Sequence, residues 1–273
     1  EQLIQEQLVG QPNPINPYIE CCQRYVGQQK TALIWDGKNG ESEQWSFEQL
    51  DVASAQLANY FKSIGIQVGD CIAGLLPRTP ELLITILATW RIGAIYQPLF
   101  TAFESKAIEH RVLTANTKLI VTNAEQRPKL NHVEVKHILT VNAGTNLASN
   151  EADFWQEAKQ QSDQCEAVLR SFDDDFLMMF TSGTTGLAKS VPVPLKAVLA
   201  FKGYMQHAVD LREDDSFWNL ADPGWAYGLY YGITGPLSLG HSIIMDERTF
   251  SVDHAVEVIK KYRVSNLTGS PTA

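Results

Sequence analysis

The sequence predicts an α/β protein in which mostly parallel sheets are flanked by helices. Short runs of aliphatic and β-branched residues are followed repeatedly by longer segments with helical periodicity. The predicted strands are apolar throughout rather than alternating, which is typical of parallel strands covered on both faces. With 273 residues and 44% hydrophobic side chains, the chain can also bury a full core.

The first part of the chain is expected to hold an irregular arm followed by a hairpin. Three prolines and weak periodicity mark residues 1–30. The runs 31–35 and 43–46 flank Asp-Gly and Asn-Gly dipeptides, which favour tight turns between strands. Ser46 and Gln49 have the spacing of a reciprocal capping box, so a helix is expected to begin there.

The remaining elements alternate along the chain. Residues 82–100 are apolar enough to suggest a membrane span, but Arg91 lies in the middle, so a buried helix followed by a strand is predicted. Thr79 and Pro80 have the pattern of a helix start. Strands are expected at 71–75, 94–98, 118–122, 137–141, 176–181, 217–220, 242–245 and 265–268. Further helices are expected at 105–115, around Phe154, and at 195–208, 227–239 and 251–262, with 142–174 otherwise a surface loop.

The charge and the cysteines limit the class of protein. There are 22 basic and 31 acidic residues, giving a net charge of −9, which disfavours nucleic acid and anionic membranes as partners. The four cysteines are too few and too scattered for a disulfide scaffold or a zinc site. The N-terminal segment has no secretory pattern. A cytoplasmic location is therefore expected.

The segment after the predicted strand 176–181 carries the clearest chemical signal. It reads Thr-Ser-Gly-Thr-Thr-Gly-Leu-Ala-Lys from Thr181 to Lys189. Glycines permit positive φ and a close backbone approach, so successive amide groups can form an anion-binding nest. The hydroxyls add donors, and Lys189 adds a mobile cation. The sequence therefore predicts a loop that binds a polyphosphate and its magnesium ion.

A Walker A loop is one interpretation of this segment. The pattern starting at Gly183 fits except that Ala188 replaces the second glycine. A Walker loop leads directly into a helix, whereas Pro192 and Pro194 here forbid a helix. A P-loop kinase or NTPase is therefore the weaker interpretation.

The segment instead resembles the phosphate loop of the adenylate-forming acyl-CoA synthetase family, whose pattern is close to T-S-G-[ST]-T-G-x-P-K-G. Ala188 stands where the family usually has proline, and Ser190 where it usually has glycine. Similar segments occur in the family's order, at 77–83, 91–99, 221–228 and 267–273. The last two are most similar to the acetyl-CoA synthetase-like branch. The chain is therefore expected to hold an N-terminal arm and hairpin at 1–45, and the resemblance implies a partial N-terminal AMP-binding domain at 46–273.

The resemblance implies an AMP-forming acid–thiol ligase that uses a small carboxylate, ATP with Mg²⁺, and coenzyme A. Lys189 would be catalytic, since its charge would offset that of the leaving pyrophosphate. The residues implied to bind the ATP phosphates are Thr181, Ser182, Gly183, Thr184, Thr185, Gly186 and Lys189. The acyl pocket is implied at Trp225, Ala226 and Tyr227, and coenzyme A binding at Phe100, Thr101, Ala102 and Arg127. For Arg127, a solvated surface arginine is the alternative interpretation. Bulky aromatic side chains at the pocket favour acetate or propionate over longer acids.

Three alternatives stay open at this point. They are a medium-chain or aromatic acyl-CoA ligase of the same family, a P-loop NTPase or kinase, and a non-catalytic nucleotide-binding domain. The six histidines show no metal-ligand spacing, so no protein metal site and no histidine role is predicted. The family's later motifs do not occur in these 273 residues. We therefore expect the N-terminal part of a longer enzyme, inactive by itself.

Overall fold

The computed structural model describes residues 13–145, 147–181 and 186–269, which form three β-sheets and the helices packed around them. The strands are β1 (Thr31–Asp36), β2 (Ser42–Ser46), β3 (Cys71–Leu75), β4 (Ile95–Pro98), β5 (Leu119–Asn123), β6 (His137–Val141), β7 (Glu151–Asp153), β8 (Asp175–Thr181), β9 (Lys189–Pro194), β10 (Phe217–Asn219), β11 (Ile243–Asp246) and β12 (Asn266–Thr268). The helices are α1 (Pro17–Cys21), α2 (Phe47–Ser63), α3 (Pro80–Arg91), α4 (Ser105–Thr114), α5 (Phe154–Ala158), α6 (Ala197–His207), α7 (Ala226–Leu229), α8 (Gly235–Ser238) and α9 (Val252–Tyr262). Short 3₁₀ turns occupy Gln23–Tyr25 and Arg127–Leu130, and a π-helical turn, Tyr230–Thr234, joins α7 to α8.

The largest sheet confirms the predicted parallel architecture. Its seven strands have the order β7–β6–β5–β3–β4–β8–β9, and every neighbouring pair is parallel except β8 with β9. Helix α3 connects β3 to β4, and α4 connects β4 to β5, as parallel strands require. The carboxyl ends of β3, β4, β5 and β8 therefore share one edge of the sheet. Ligands of open α/β sheets bind at this edge.

Helices cover both faces of this sheet. Ile72 and Leu119 face the main core, which also contains residues of α2 and α3. Their chain neighbours Ala73 and Ile120 point to the opposite face, against α4. Helix α3 is buried along its whole length apart from Glu81, which confirms that the apolar run is a core helix. Within the described part of the chain, no helix is both long and apolar enough to cross a membrane.

Two smaller sheets complete the fold. The predicted hairpin is present, with β1 antiparallel to β2, and β1 also pairs in parallel with β11. Strands β10 and β12 form a parallel pair. The capping box of α2 is confirmed, because the Ser46 hydroxyl accepts from the Gln49 amide and the Gln49 side chain accepts from the Ser46 amide.

The structure corrects several local predictions. Thr79 precedes α3, but its side chain makes no capping hydrogen bond; its carbonyl accepts from the Leu82 amide at 3.1 Å instead. Residues 142–174 were expected to hold only a loop and a short helix, yet β7 lies there and pairs with β6. The predicted helix 227–239 is interrupted by the π-helical turn, where the Thr234 hydroxyl donates to the Leu229 carbonyl five residues earlier, at 2.9 Å.

Candidate functional site

The predicted phosphate loop lies in the sequence between β8 and β9, which pair as antiparallel strands. Thr181 and Lys189 face each other as the last paired residues. Gly186 has φ +91°, and a side chain there would be strained although no atom lies within 4 Å of a Cβ at that position. Ser182, Gly183, Thr184 and Thr185 lie outside the described residues. Of the predicted phosphate-binding residues, the structure therefore places Thr181, Gly186 and Lys189.

Lys189 is exposed at the carboxyl edge of the large sheet. Within residues 13–145, 147–181 and 186–269, it makes no ion pair. It begins strand β9, which runs antiparallel to β8. A Walker loop would continue into a helix at this point, so the P-loop interpretation is wrong for this segment. An exposed lysine whose ammonium makes no ion pair with the described residues is available to an anionic ligand.

A cluster of three aromatic rings, from Phe100, Phe103 and Trp225, lies beside the end of β4. The Trp225 centroid is 5.5 Å from that of Phe100 and 5.5 Å from that of Phe103. Gly224 permits this approach, since a Cβ there would lie 2.7 Å from the Phe100 Cα. The structure thus brings the predicted coenzyme A residue Phe100 against the predicted acyl-pocket residue Trp225. We call these three residues the aromatic cluster.

Arg111 of α4 connects the aromatic cluster to β8. Its guanidinium carbon is 4.1 Å from the centroid of Phe103 and 5.6 Å from that of Phe180, which precedes Thr181. Burial lowers the pKa of Arg111 from its ordinary value. The guanidinium also donates to the Ala107 carbonyl at 2.8 Å. Neither Arg111 nor Phe103 was predicted as a site residue, since nothing in the local sequence pairs them with a loop 70 residues later.

Tyr227 belongs to a different set of aromatic residues. Its ring centroid is 5.2 Å from that of Tyr231, which in turn stacks on Tyr204 at 4.0 Å. Burial raises the pKa of the Tyr227 phenol. Ala226, between Trp225 and Tyr227, is exposed. Trp225 and Tyr227, which were predicted to line one pocket, therefore pack against different aromatic residues.

Asp222 holds the turn that positions Trp225. Its carboxylate accepts from the Gly224 amide at 2.7 Å, and its carbonyl accepts from the Trp225 amide at 3.0 Å. Burial raises the pKa of Asp222, while the Arg78 guanidinium, 3.7 Å away, opposes that rise. Arg78 also donates to the Asp246 carbonyl at 3.0 Å. Through these two contacts, Arg78 connects the turn at Asp222 to strand β11, which contains Asp246.

The other predicted coenzyme A residues are divided between two places. Thr101 and Ala102 follow Phe100 directly, and the Lys129 ammonium donates to the Thr101 carbonyl. Arg127 instead pairs with Glu151 at 3.0 Å. Burial opposes ionisation of Glu151, but hydrogen bonds from Thr140 and Arg127 hold its pKa below the ordinary value. Arg127 is therefore engaged with a buried carboxylate on β7.

Comparison with known proteins decides the family. The model of the AMP-binding enzyme family matches residues 22–273. The chain belongs to the AMP-binding enzyme family. It is 31% identical to an acetyl-coenzyme A synthetase of Deinococcus radiodurans, over 92% of this chain and 42% of that protein. It is 30% identical to an acetyl-coenzyme A synthetase of Rubrobacter xylanophilus, over 95% of this chain and 44% of that protein.

A solved structure confirms the fold of this AMP-binding chain. The crystal structure of an acyl-CoA synthetase from Brucella canis superposes with a TM-score of 0.96 and 48% identity. The match covers 100% of this chain and 50% of that one. The chain thus spans less than half the length of the curated relatives and half of the solved relative. The described residues contain no group of three or more histidine, cysteine or carboxylate side chains that could hold a metal ion.

Proposed function

We propose that the whole protein is an AMP-forming acyl-CoA synthetase that acts on a short-chain carboxylic acid. The observation that carries the proposal is Lys189, which is exposed at the start of β9 and makes no ion pair with a described residue, in a chain of the AMP-binding family. Thr181 and Lys189, the last paired residues of β8 and β9, lie at the carboxyl edge of a parallel sheet, where ligands of such sheets bind.

The reaction has two displacements. In the first, a carboxylate oxygen attacks the α-phosphorus of ATP, and the bond to the β-phosphate oxygen breaks to release pyrophosphate. Lys189 would offset the charge that develops on this leaving group. In the second, the sulfur of coenzyme A attacks the acyl carbon, AMP leaves, and the thiol proton is released. The proposed phosphate-binding residues are Thr181, Ser182, Gly183, Thr184, Thr185, Gly186 and Lys189.

The aromatic cluster supports a channel for coenzyme A. Phe100, Phe103 and Trp225 present an apolar wall, and Trp225 is 45% exposed although it is a large ring. The backbone at Thr101 and Ala102 adjoins this wall. Arg127, whose Nε donates to Glu151, would offer its remaining guanidinium donors to a phosphate of coenzyme A. The thiol would approach along the aromatic cluster.

The acyl group is proposed to lie against Trp225, Ala226 and Tyr227. Ala226 is exposed, and the Tyr227 ring is held by Tyr231, so a large side chain restricts the available length. Apolar pockets reject an oversized ligand by steric overlap. Acetate or propionate is therefore the proposed substrate.

The magnesium ion would accompany ATP. Magnesium ions keep several waters and bind mainly through substrate phosphates, which agrees with the oxygen donors that ATP itself supplies. When bound, the ion would reduce the charge repulsion met by the attacking carboxylate. We also propose a cytoplasmic location, because the four cysteines are buried and unpaired.

Product analysis tests this function. The full-length protein is incubated with ATP, Mg²⁺, coenzyme A and one acid at a time: acetate, propionate, butyrate, octanoate or benzoate. We expect AMP, pyrophosphate and acyl-CoA in equal amounts, with acetate or propionate giving the highest kcat/KM. ADP formation without thioester would instead indicate an NTPase or kinase. Nucleotide binding without turnover of any acid would indicate a non-catalytic domain.

A further inference from the structure

Helix α4 lies beside the phosphate-loop hairpin and contacts it through His110. The Nε2 atom of His110 is 2.8 Å from the carbonyl oxygen of Ala188, which is 78 positions later in the chain. A carbonyl oxygen can only accept, so Nε2 carries the hydrogen and donates it. The ring is half-buried, and the contact crosses from one crossover helix to the hairpin.

The position of this contact gives it a consequence for Lys189. The Ala188 carbonyl and the Lys189 amide belong to one planar peptide unit, so fixing the carbonyl also fixes the direction of the amide. The backbone of Lys189 is meanwhile paired with Thr181 across the hairpin. The residue that carries the proposed catalytic cation is thus restrained from two sides.

Two residues just before Lys189 allow backbone rotation that this hydrogen bond limits. Alanine leaves φ at position 188 free, whereas a proline would fix it. Gly186, two residues earlier, adds the conformational freedom of a residue without a side chain. In the described part of the chain, the hydrogen bond from His110 is the side-chain contact that holds the carbonyl at position 188.

Helix α4, which carries His110, is fixed in place by other contacts. Arg111, the next residue, packs on Phe103 and Phe180 and donates to the Ala107 carbonyl. Ile108 and Val112 of the same helix are buried against the large sheet. Helix α4 is therefore positioned independently of the His110 ring, as a support for a loop contact should be.

We propose that His110 is a positioning residue, which orients Lys189 for adenylate formation by holding the Ala188 carbonyl. This inference rests on the proposed function, because it concerns the same phosphate loop. It assigns His110 no contact with substrate. Its effect should be restricted to the step in which pyrophosphate leaves, and should not extend to thioester formation from a preformed acyl-adenylate.

Hydrogen exchange of backbone amides tests the contact itself. In the full-length protein without ligand, His110→Ala should speed the exchange of amides 186–190 by about three- to tenfold, the effect of losing one neutral hydrogen bond. His110→Gln retains a donor and should recover part of the protection. His207→Ala removes an exposed histidine of α6 and is the matched control, with wild-type exchange expected. Unchanged exchange in His110→Ala would overturn the proposal.

Kinetics of the two half-reactions test the consequence. We expect His110→Ala to lower ATP–pyrophosphate exchange about three- to tenfold, with thioester formation from added acyl-adenylate unchanged. Adding Ala188→Pro should reduce the effect of His110→Ala, because fixing φ at position 188 leaves only ψ of that residue free to turn the carbonyl. An equal loss in both half-reactions, or a full effect in the proline background, would contradict the positioning role. Absence of acid-dependent exchange in the wild type would refute the proposed function instead, and amide exchange would still decide the role of His110.

Discussion

Gly228→Ala should destabilise the protein, although the same change within a helix normally stabilises it. Gly228 lies in α7 and is buried. A Cβ there would overlap the carbonyl group of Asp222 and lie 2.8 Å from the Ala221 carbonyl oxygen. Both obstacles are backbone, so they cannot move aside as a flexible side chain would. The turn that carries Trp225 would have to shift.

The expected size follows from two opposing effects. Replacing glycine by alanine in a helix contributes up to about 1 kcal/mol. Overpacking a buried site costs about 1–3 kcal/mol, and overlap with backbone places this substitution near the upper limit. The free energy of unfolding should therefore fall by about 2 kcal/mol. Since the Asp222 carbonyl also accepts from the Trp225 amide, the aromatic cluster should be disturbed as well.

Equilibrium urea unfolding, followed by far-UV circular dichroism, measures this change. Gly203→Ala is the matched control: Gly203 lies within α6, and nothing lies within 4 Å of a Cβ placed there. The control should be more stable than the wild type by up to about 1 kcal/mol. If Gly228→Ala were as stable as Gly203→Ala, close packing of the 221–228 turn would be refuted.

Three further predictions concern the acyl group, coenzyme A and pH. Tyr227→Ala should raise kcat/KM for octanoate relative to acetate by about tenfold, as expected for a pocket contact worth ~1–3 kcal/mol, whereas Trp225→Ala should mainly raise KM for coenzyme A. An unchanged acid profile in Tyr227→Ala would remove it from the pocket wall. In the folded protein, burial holds the pKa of His241 below its ordinary value of 6.5. As the pH falls, this histidine is therefore protonated in the unfolded chain before it is protonated in the folded protein. Stability should therefore decline as the pH falls below 6.5, by at most about 1.4 kcal/mol per pH unit for this group. His241→Gln should flatten this slope in urea titrations between pH 7.5 and 5.5 (roughly one unit either side of the ordinary pKa), and an unaltered slope would show that His241 does not contribute.

Much of the fold could be predicted from the order of the elements. Parallel strands need long crossovers, so the alternation of apolar runs and amphipathic segments already implies the large sheet. The missed strands have physical explanations. β9 contains Pro192 and Pro194, which exclude a helix, and its place at the sheet edge tolerates the lost amide donors. β7 has three residues, two of them acidic, and carries almost no hydrophobic signal.

The site was only partly predictable for a different reason. Its phosphate loop is a continuous segment, so its glycines and Lys189 are visible in the sequence. His110 and Arg111 lie on a helix more than 70 positions earlier and reach the hairpin only through the sheet order. Periodicity also did not indicate the π-helical turn Tyr230–Thr234, because a single turn of this kind inside a helix leaves most of the helical pattern unchanged.

Acid-dependent ATP–pyrophosphate exchange in Lys189→Ala tests the central claim most directly. Lys196→Ala is the control, because Lys196 is also exposed but pairs with Asp173 at 2.7 Å outside the loop. Loss of a charge-assisted contact with phosphate is worth ~1.5–3 kcal/mol, so exchange should fall at least about tenfold in Lys189→Ala, with unfolding in urea unchanged. Lys196→Ala should exchange at the wild-type rate. Exchange within about twofold of the wild type in Lys189→Ala, equivalent to less than about 0.5 kcal/mol, would contradict the assignment of the β8–β9 loop as the phosphate site.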